Sequence, residues 1–262
     1  MKPAAFEYTR PESVDEAVAL LAEHGDDAKV LAGGQSLVPL LNMRLARPSV
    51  VVDVNRLPLD SIEIRDGDVA VGATVRQCAD GLRDIPLVED CLPYVGHFVT
   101  RNRGTVGGSI AHADASAELP LALLALGGSI VAASTRGRRT IPADEFFVTH
   151  FTTALEPDEL LVETLWPRPA PGSGVAFAEF AQRHGDYALC MTAAVVRGDD
   201  VSVAVGSVVD RPTLLAVEPA RPGASAAEQV DPADSLHASG RYLRHLVRVL
   251  VDRAVAHARA AS

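Results

Sequence analysis

The sequence predicts an α+β protein in which two small α/β lobes flank a cleft and a C-terminal α/β domain completes the chain. Three observations predict it. A strand, a glycine turn, a helix and a second strand succeed one another between residues 29 and 54. Strand-like alternation begins anew near residue 57 and leads on to a second glycine-rich segment at 104–109. A proline-rich break, Trp166-Pro167-Arg168-Pro169-Ala170-Pro171-Gly172, then separates both lobes from the C-terminal third of the chain. The divisions expected are 1–56, 57–170 and 171–262.

The first lobe opens with Ser13-Val14-Asp15-Glu16, a capping-box pattern, and Val14, Ala17, Val18 and Leu21 continue at helical spacing until Gly25. Lys29-Val30-Leu31-Ala32 reads as a short strand, Leu37 to Leu45 as a helix and Val50 to Val54 as a β-branched strand. In the second lobe Ser61 to Ile64 and Val69 to Gly72 alternate about the turn Asp66-Gly67-Asp68. Helices are expected over Val75–Leu82 and Val88–Phe98, and over Leu119–Leu126 with Pro120 in the first turn and Gly127-Gly128 as the stop. A strand is expected next, over Ser129–Ser134. Beyond the break, strands are expected over 174–180, 192–197 and 201–209, then a Pro/Ala/Gly/Ser-rich stretch over 218–227 and a closing helix. Leu243, Leu246, Val247, Leu250, Val251, Ala254 and Val255 give that helix one apolar face, expected to pack on its own domain.

Composition narrows the function. An apolar fraction of 48% without low-complexity runs fits a folded protein, and no apolar stretch is long enough to span a bilayer. Met1-Lys2-Pro3-Ala4-Ala5-Phe6-Glu7 carries no apolar h-region, so the cytoplasm is the expected location. A net charge of −10 with no basic stripe argues against nucleic acid as a partner. Cys78, Cys91 and Cys190 form no C-x-x-C pair, so no iron–sulfur or zinc site is expected and the three read as reduced, packed thiols. Redox chemistry here would require an organic cofactor, a partner's metal centre, or both.

The candidate site lies in the two glycine-rich segments, Ala32-Gly33-Gly34-Gln35-Ser36 and Thr105-Val106-Gly107-Gly108-Ser109. Paired glycines reach positive φ without a Cβ clash, which lets successive N–H groups point into one concavity that suits phosphate oxygens. The strand and helix flanking the first segment favour free N–H groups beside it. Each segment ends in a serine whose hydroxyl adds a donor, so two such turns side by side would suit the two phosphates of a dinucleotide. The plainer reading of each segment is a tight turn. Neither spells G-x-G-x-x-G, no Walker A sequence occurs, and Ser36 lacks the closing glycine of a nucleophile elbow. His112-Ala113-Asp114 with Glu118 lacks a further metal ligand, and the two carboxylates read as helix-start residues or as acceptors for ribose or flavin hydrogen bonds. No catalytic residue and no metal ligand is assigned.

Phe6-x-Tyr8-x-Arg10-Pro11, Leu31-Ala32-Gly33-Gly34-Gln35-Ser36-Leu37, the run from Asn102 through Gly104-Thr105-Val106-Gly107-Gly108-Ser109 to Asp114, and Arg183-His184-Gly185-Asp186-Tyr187-Ala188 occur in that order. Over nearly its whole length the chain thereby resembles the FAD-binding medium subunit of molybdenum hydroxylases, the family of carbon monoxide dehydrogenase medium chains and the flavin domain of xanthine dehydrogenase. The resemblance implies a fold of the PCMH/vanillyl-alcohol-oxidase type, with two α/β lobes gripping FAD. It also implies a division of labour. A large subunit with a molybdopterin cofactor oxidises substrate, a small subunit carries [2Fe–2S] clusters, and this chain's FAD passes electrons to an acceptor, the whole forming a dimer of heterotrimers.

Carried over by residue, Lys29-Val30-Leu31-Ala32-Gly33-Gly34-Gln35-Ser36 and Gly104-Thr105-Val106-Gly107-Gly108-Ser109 would hold the pyrophosphate. Asp114 and Glu118 would lie near the flavin and its ribityl or adenosine end, Glu118 standing where xanthine dehydrogenases carry aspartate. Leu161 would pack on the isoalloxazine ring and Tyr187 would cover one of its faces, although a core aromatic is the plainer reading of Tyr187. Ala115 stands where many relatives carry Pro, and Gln35 and Ser109 replace the His and Asn of carbon monoxide dehydrogenases, a pair that by resemblance favours an aldehyde or N-heterocycle over carbon monoxide as the substrate of the complex. The four-cysteine insert of 4-hydroxybenzoyl-CoA reductases is absent. The stretch after Pro212 reads as a helix reduced, leaving a short C-terminal domain. The rival readings are a stand-alone flavin oxidase of the vanillyl-alcohol-oxidase type and a cofactor-free scaffold.

Overall fold

The computed structural model describes residues 2–262. The N-terminal layer contains β1 (Glu7–Thr9), α1 (Val14–His24), β2 (Ala28–Leu31), α2 (Leu37–Asn42) and β3 (Val50–Asp53). The strands form a parallel sheet in the order β1-β3-β2, with Tyr8 opposite Val51 and Val30 opposite Val52. Val50, Val51 and Val52 are all buried, because a central parallel strand is covered on both faces. Ser13 caps α1 by accepting from the Glu16 amide at 3.1 Å, and Glu16 returns its carboxylate to the Glu12 amide at 2.7 Å.

The next layer contains β4 (Ile62–Arg65), β5 (Asp68–Gly72), α3 (Pro86–Cys91), α4 (Phe98–Arg101), α5 (Val106–His112) and α6 (Glu118–Ala125). It continues through β6 (Ser129–Ser134), β7 (Gly137–Pro142), α7 (Ala143–Phe146), β8 (Phe147–Thr149), β9 (Thr152–Thr153) and β10 (Leu160–Pro167). An antiparallel sheet in the order β4-β5-β10-β6-β7 places β10 at its centre. Helix α6 is buried along its whole length, which its apolar run Leu119–Ala125 requires and which also buries Glu118 at its start.

The last layer is an antiparallel meander of β11 (Gly174–Ala181), β12 (Ala188–Arg197), β13 (Asp200–Gly206) and β14 (Thr213–Leu215), completed by α8 (Pro222–Glu228) and α9 (Gly240–Ala261). Its sheet is covered on both faces. Ala194, Val196, Val203 and Val205 pack against Leu243, Val247, Leu250 and Val251 of α9, while Phe177, Met191, Ala193 and Ala204 join the core that contains α6. The closing helix therefore does pack on its own sheet.

Several local expectations give way to longer-range contacts. Val75–Leu82 is no helix. Val75 and Gln77 instead pair with the chain at 104–106, through Val106 N to Val75 O at 2.9 Å and Gln77 N to Gly104 O at 3.0 Å; a 3-10 turn comes next at Asp80–Asp84. The helix expected over Val88–Phe98 breaks into α3 and α4, since Pro93 cannot extend α3 and Gly96 takes φ +48°. The Pro/Ala/Gly/Ser-rich stretch, by contrast, holds a short helix, α8, with Pro222 in its first turn, where a missing N–H costs nothing. Cys78 is exposed, so only Cys91 and Cys190 are packed thiols. Strands β1, β7, β8, β9, β10 and β14 had no expectation; all but β7 and β10 are three residues or fewer.

Candidate functional site

The first glycine segment connects β2 to α2. Gly34 takes φ +73°, the left-handed conformation that glycine adopts without a Cβ penalty. Helix α2 uses the segment's carbonyls, with Val38 N donating to Gly34 O at 3.0 Å and Leu40 N to Ser36 O at 3.2 Å. Its amides are left over. Among the described residues, none of the N–H groups of Gly33, Gly34, Gln35, Ser36 and Leu37 has a protein acceptor. These residues are partly or fully exposed, so the donors are available to solvent or to an anion. Preceding them, Lys29 is exposed while Val30, Leu31 and Ala32 are half-buried.

The second segment lies directly against the first. A Cβ on Gly33 would collide with the Arg103 carbonyl oxygen and come within 2.8 Å of Gly104 Cα, and one on Gly108 would come within 3.9 Å of Ala32 Cβ. Its chemistry differs, however. Gly107 and Gly108 have no positive φ and form the first turn of α5, with Thr105 as N-cap. Val106 N donates to Val75 O at 2.9 Å, Gly107 N to Ala73 O at 3.1 Å, Gly108 N to Thr105 Oγ1 at 3.0 Å and Ser109 N to Thr105 O at 3.1 Å. The expectation of a second row of free amides is corrected here. These glycines are needed for contact, since a Cβ on Gly107 would lie 2.6 Å from Ala73 Cα and one on Gly104 would strike the Gln77 side chain. What remains for a ligand, among the described residues, is the Ser109 hydroxyl and the Thr105 N–H, which has no protein acceptor.

A polar network that sequence reasoning missed ties the two segments together. The Tyr8 hydroxyl donates to Asp53 Oδ2. Asp53 Oδ1 accepts from the Asn55 amide at 2.9 Å and from Asn55 Nδ2 at 2.6 Å. Asn55 Nδ2 also donates to Ala32 O at 2.8 Å, and Asn55 Oδ1 accepts from Arg76 Nη2 at 2.7 Å. Arg76 Nη1 completes the path by donating to the Arg103 carbonyl. Burial disfavours the Asp53 charge, but the donors from Tyr8 and Asn55 outweigh it and hold the carboxyl below its usual range. Burial, then the Arg103 charge, depress Arg76. The one signal in the sequence was Asp53-Val54-Asn55 at the end of a buried strand.

The carboxylate end of the site lies beyond α5. Ala113 ends that helix in the left-handed region at φ +51°, and its carbonyl accepts from the amide of Phe151, itself at φ +56°. Asp114, nearly buried, accepts from the Ser116 amide at 2.9 Å. Glu118 begins α6; burial pushes its carboxyl up to about 7. Tyr187 exposes 68% of its surface, and partial burial, then the charges of Asp114 and Glu118, raise its hydroxyl above the usual phenol range. His112 stacks on Phe151 with centroids 4.7 Å apart. Leu161, buried in β10 opposite Ala132, adjoins a bulge whose Val162 carbonyl accepts from the Ala73 amide at 3.0 Å. Ala73 O in turn receives Gly107 N, which links Leu161's strand to the glycine helix. Among the described residues, no group of three or more His, Cys, Asp or Glu is placed to hold a metal.

The exposed donor row has the chemistry of an anion-binding site, and comparison with known proteins gives the family. Residues 4–169 match the model for the FAD binding domain in molybdopterin dehydrogenase. The chain belongs to that family. It is 40% identical over 283 aligned positions to the 6-hydroxypseudooxynicotine dehydrogenase complex subunit alpha of Paenarthrobacter nicotinovorans, covering 98% of this chain and 96% of the relative. It is 42% identical to the caffeine dehydrogenase subunit beta of Pseudomonas sp. (strain CBB1), over 76% of this chain and 70% of the relative. A solved structure of carbon monoxide dehydrogenase from Hydrogenophaga pseudoflava contains a chain that superposes with a TM-score of 0.94 at 32% identity, covering 100% of this chain and 99% of that one. The protein is thus an FAD-binding oxidoreductase subunit with the PCMH-like fold of its relatives.

Proposed function

We propose that this chain is the electron-relay subunit of a molybdenum hydroxylase, placed between [2Fe–2S] clusters in a small subunit and an external acceptor. A large subunit would oxidise substrate at its molybdopterin cofactor. The observation that carries the reading is the row of unpartnered amides from Gly33 to Leu37, facing out beside the Arg103–Gly104 backbone. Such a row suits a pyrophosphate, whose oxygens accept hydrogen bonds without requiring a side-chain cation. FAD, when bound, takes electrons singly from a cluster and releases them as a pair.

Within this reading Lys29 to Ser36 lead into and form the pyrophosphate cradle, with the Ser36 and Ser109 hydroxyls as supplementary donors. Gly104 to Gly108 provide the close-packed wall behind it. Asp114 and Glu118 accept hydroxyl hydrogen bonds from the ribityl or adenosine end. Leu161 and Tyr187 flank the ring, and the exposure of Tyr187 leaves it free to lie over an aromatic surface.

The relatives named for 6-hydroxypseudooxynicotine and caffeine, together with Gln35 and Ser109, favour an N-heterocycle or aldehyde over carbon monoxide as the substrate of the complex. A dimer of heterotrimers in the cytoplasm, where Cys78 would stay reduced, is the assembly we infer. The test is co-purification of the chain with its partners. Flavin, iron and molybdenum in the same assembly are expected. Turnover of an alcohol by this chain alone would instead favour the stand-alone oxidase.

A further inference from the structure

We propose that Asn55 and Arg76 are positioning residues of the flavin site, forming a polar strut that sets the direction of the first pyrophosphate donor and fixes the spacing of the two glycine segments. The proposal rests on the reading of this chain as an FAD-binding relay. Neither side chain is needed for its own contact with the cofactor; each acts through backbone.

The Asn55 carboxamide has a single satisfactory orientation. Its oxygen accepts from Arg76 Nη2 at 2.7 Å, while its nitrogen donates to Ala32 O at 2.8 Å and Asp53 Oδ1 at 2.6 Å. A flipped amide would set nitrogen against a guanidinium donor and oxygen against two acceptors. The orientation is therefore enforced from both sides, and the Tyr8–Asp53 hydrogen bond anchors the far end.

The Ala32 carbonyl belongs to the same peptide unit as the Gly33 N–H. In a planar trans peptide the two point in opposite directions. Holding Ala32 O against Asn55 therefore turns Gly33 N–H away from the strut, at the start of the unpartnered amide row. Arg76 acts on the opposite wall. Its second arm holds the Arg103 carbonyl, the atom on which Gly33 rests with no room for a Cβ. One guanidinium thus connects Asn55, and through it the first segment, to the backbone of the second. A fork that reaches two oxygens at a fixed spacing is a property of Arg and not of Lys.

The test measures FAD binding to the full chain, purified with its partners and stripped of flavin, for wild type, Asn55→Ala, Arg76→Ala and Arg76→Lys. Flavin fluorescence gives the dissociation constant, and thermal midpoints are recorded without FAD. Weakening of about 10- to 100-fold is expected for each variant, by analogy with the loss of an outer-shell side chain that orients a metal ligand. Arg76→Lys is expected to fare no better than Arg76→Ala. Combining Asn55→Ala with Arg76→Ala is expected to cost less than the sum of the two, since both break one path.

Wild-type affinity in Arg76→Lys would overturn the strut by showing that only the charge matters. Lower thermal midpoints with unchanged FAD affinity would overturn it by reducing the network to a structural tie. Should Asn55→Ala not fold, Arg76→Lys alone decides. A wild-type protein that binds no FAD would overturn the functional reading and the strut with it; wild-type binding with unaffected variants overturns the strut alone.

Discussion

Among single residues, Gly33 and Glu118 carry consequences that can be measured separately. Gly33 has the Arg103 carbonyl where its Cβ would be. Gly33→Ala is expected to push the two segments apart, at about 1–3 kcal/mol in stability, the usual cost of overpacking. It is also expected to lower flavin content while circular dichroism stays native. Glu118 makes a prediction in pH. Its folded value of about 7 lies above the ordinary value of 4.5, chiefly because of burial, so the native state holds a proton that the unfolded chain has lost between those values. Stability of the FAD-free protein is therefore expected to fall as pH rises through this window. Glu118→Gln should raise the thermal midpoint by a few degrees at about pH 8 and leave it nearly unchanged at about pH 4. A gain of equal size at both pH values would show that the charge of Glu118 is not the cause. Glu179, raised to about 8 by burial and then by Glu118, should titrate more readily in that variant.

Among the elements, the junction between α5 and α6 stores strain. Ala113 closes α5 at φ +51° and ψ +41°, a position where glycine is the usual cap. Ala113→Gly is expected to stabilise the protein by about 1 kcal/mol through relief of that conformation, read as a higher urea midpoint at unchanged slope. A lower midpoint would mean that the buried methyl packs more usefully than it strains. The same elements show which parts of the sequence were legible. Helices α1, α6 and α9 and strands β2, β3, β5 and β6 could be read from caps, periodicity and β-branched runs, signals that reside within each segment. Val75–Leu82 carried helical residues but was claimed by backbone pairing with 104–106, and no local pattern announces a partner about thirty residues away. The glycine segments were recognisable as a pair, and the structure does bring them together. That 106–107 became a packing wall and not a second donor row depended on the carbonyls of Val75 and Ala73, and the part played by Asn55 depended on where Ala32 O and Arg76 lie.

Across the whole molecule, the C-terminal sheet is more than an appendage. One face carries α9 and the other continues the core around α6, so Gly206 and Ser207 reach the segment after α5, where Ser207 N donates to Ala115 O at 2.8 Å. The segment bearing Asp114 is thereby braced by the last layer as well as by Phe151. Among the described residues no helix is long and apolar enough to cross a membrane. On the functional reading proposed for this chain, all three layers serve to hold FAD within a molybdenum enzyme, and the decisive quantity is the cofactor content of the protein isolated with its natural partners. About one FAD per chain, with iron and molybdenum in companion subunits, is the expected result. A chain that stays colourless after incubation with excess FAD would contradict it and leave the exposed amides of Gly33 to Leu37 without a ligand.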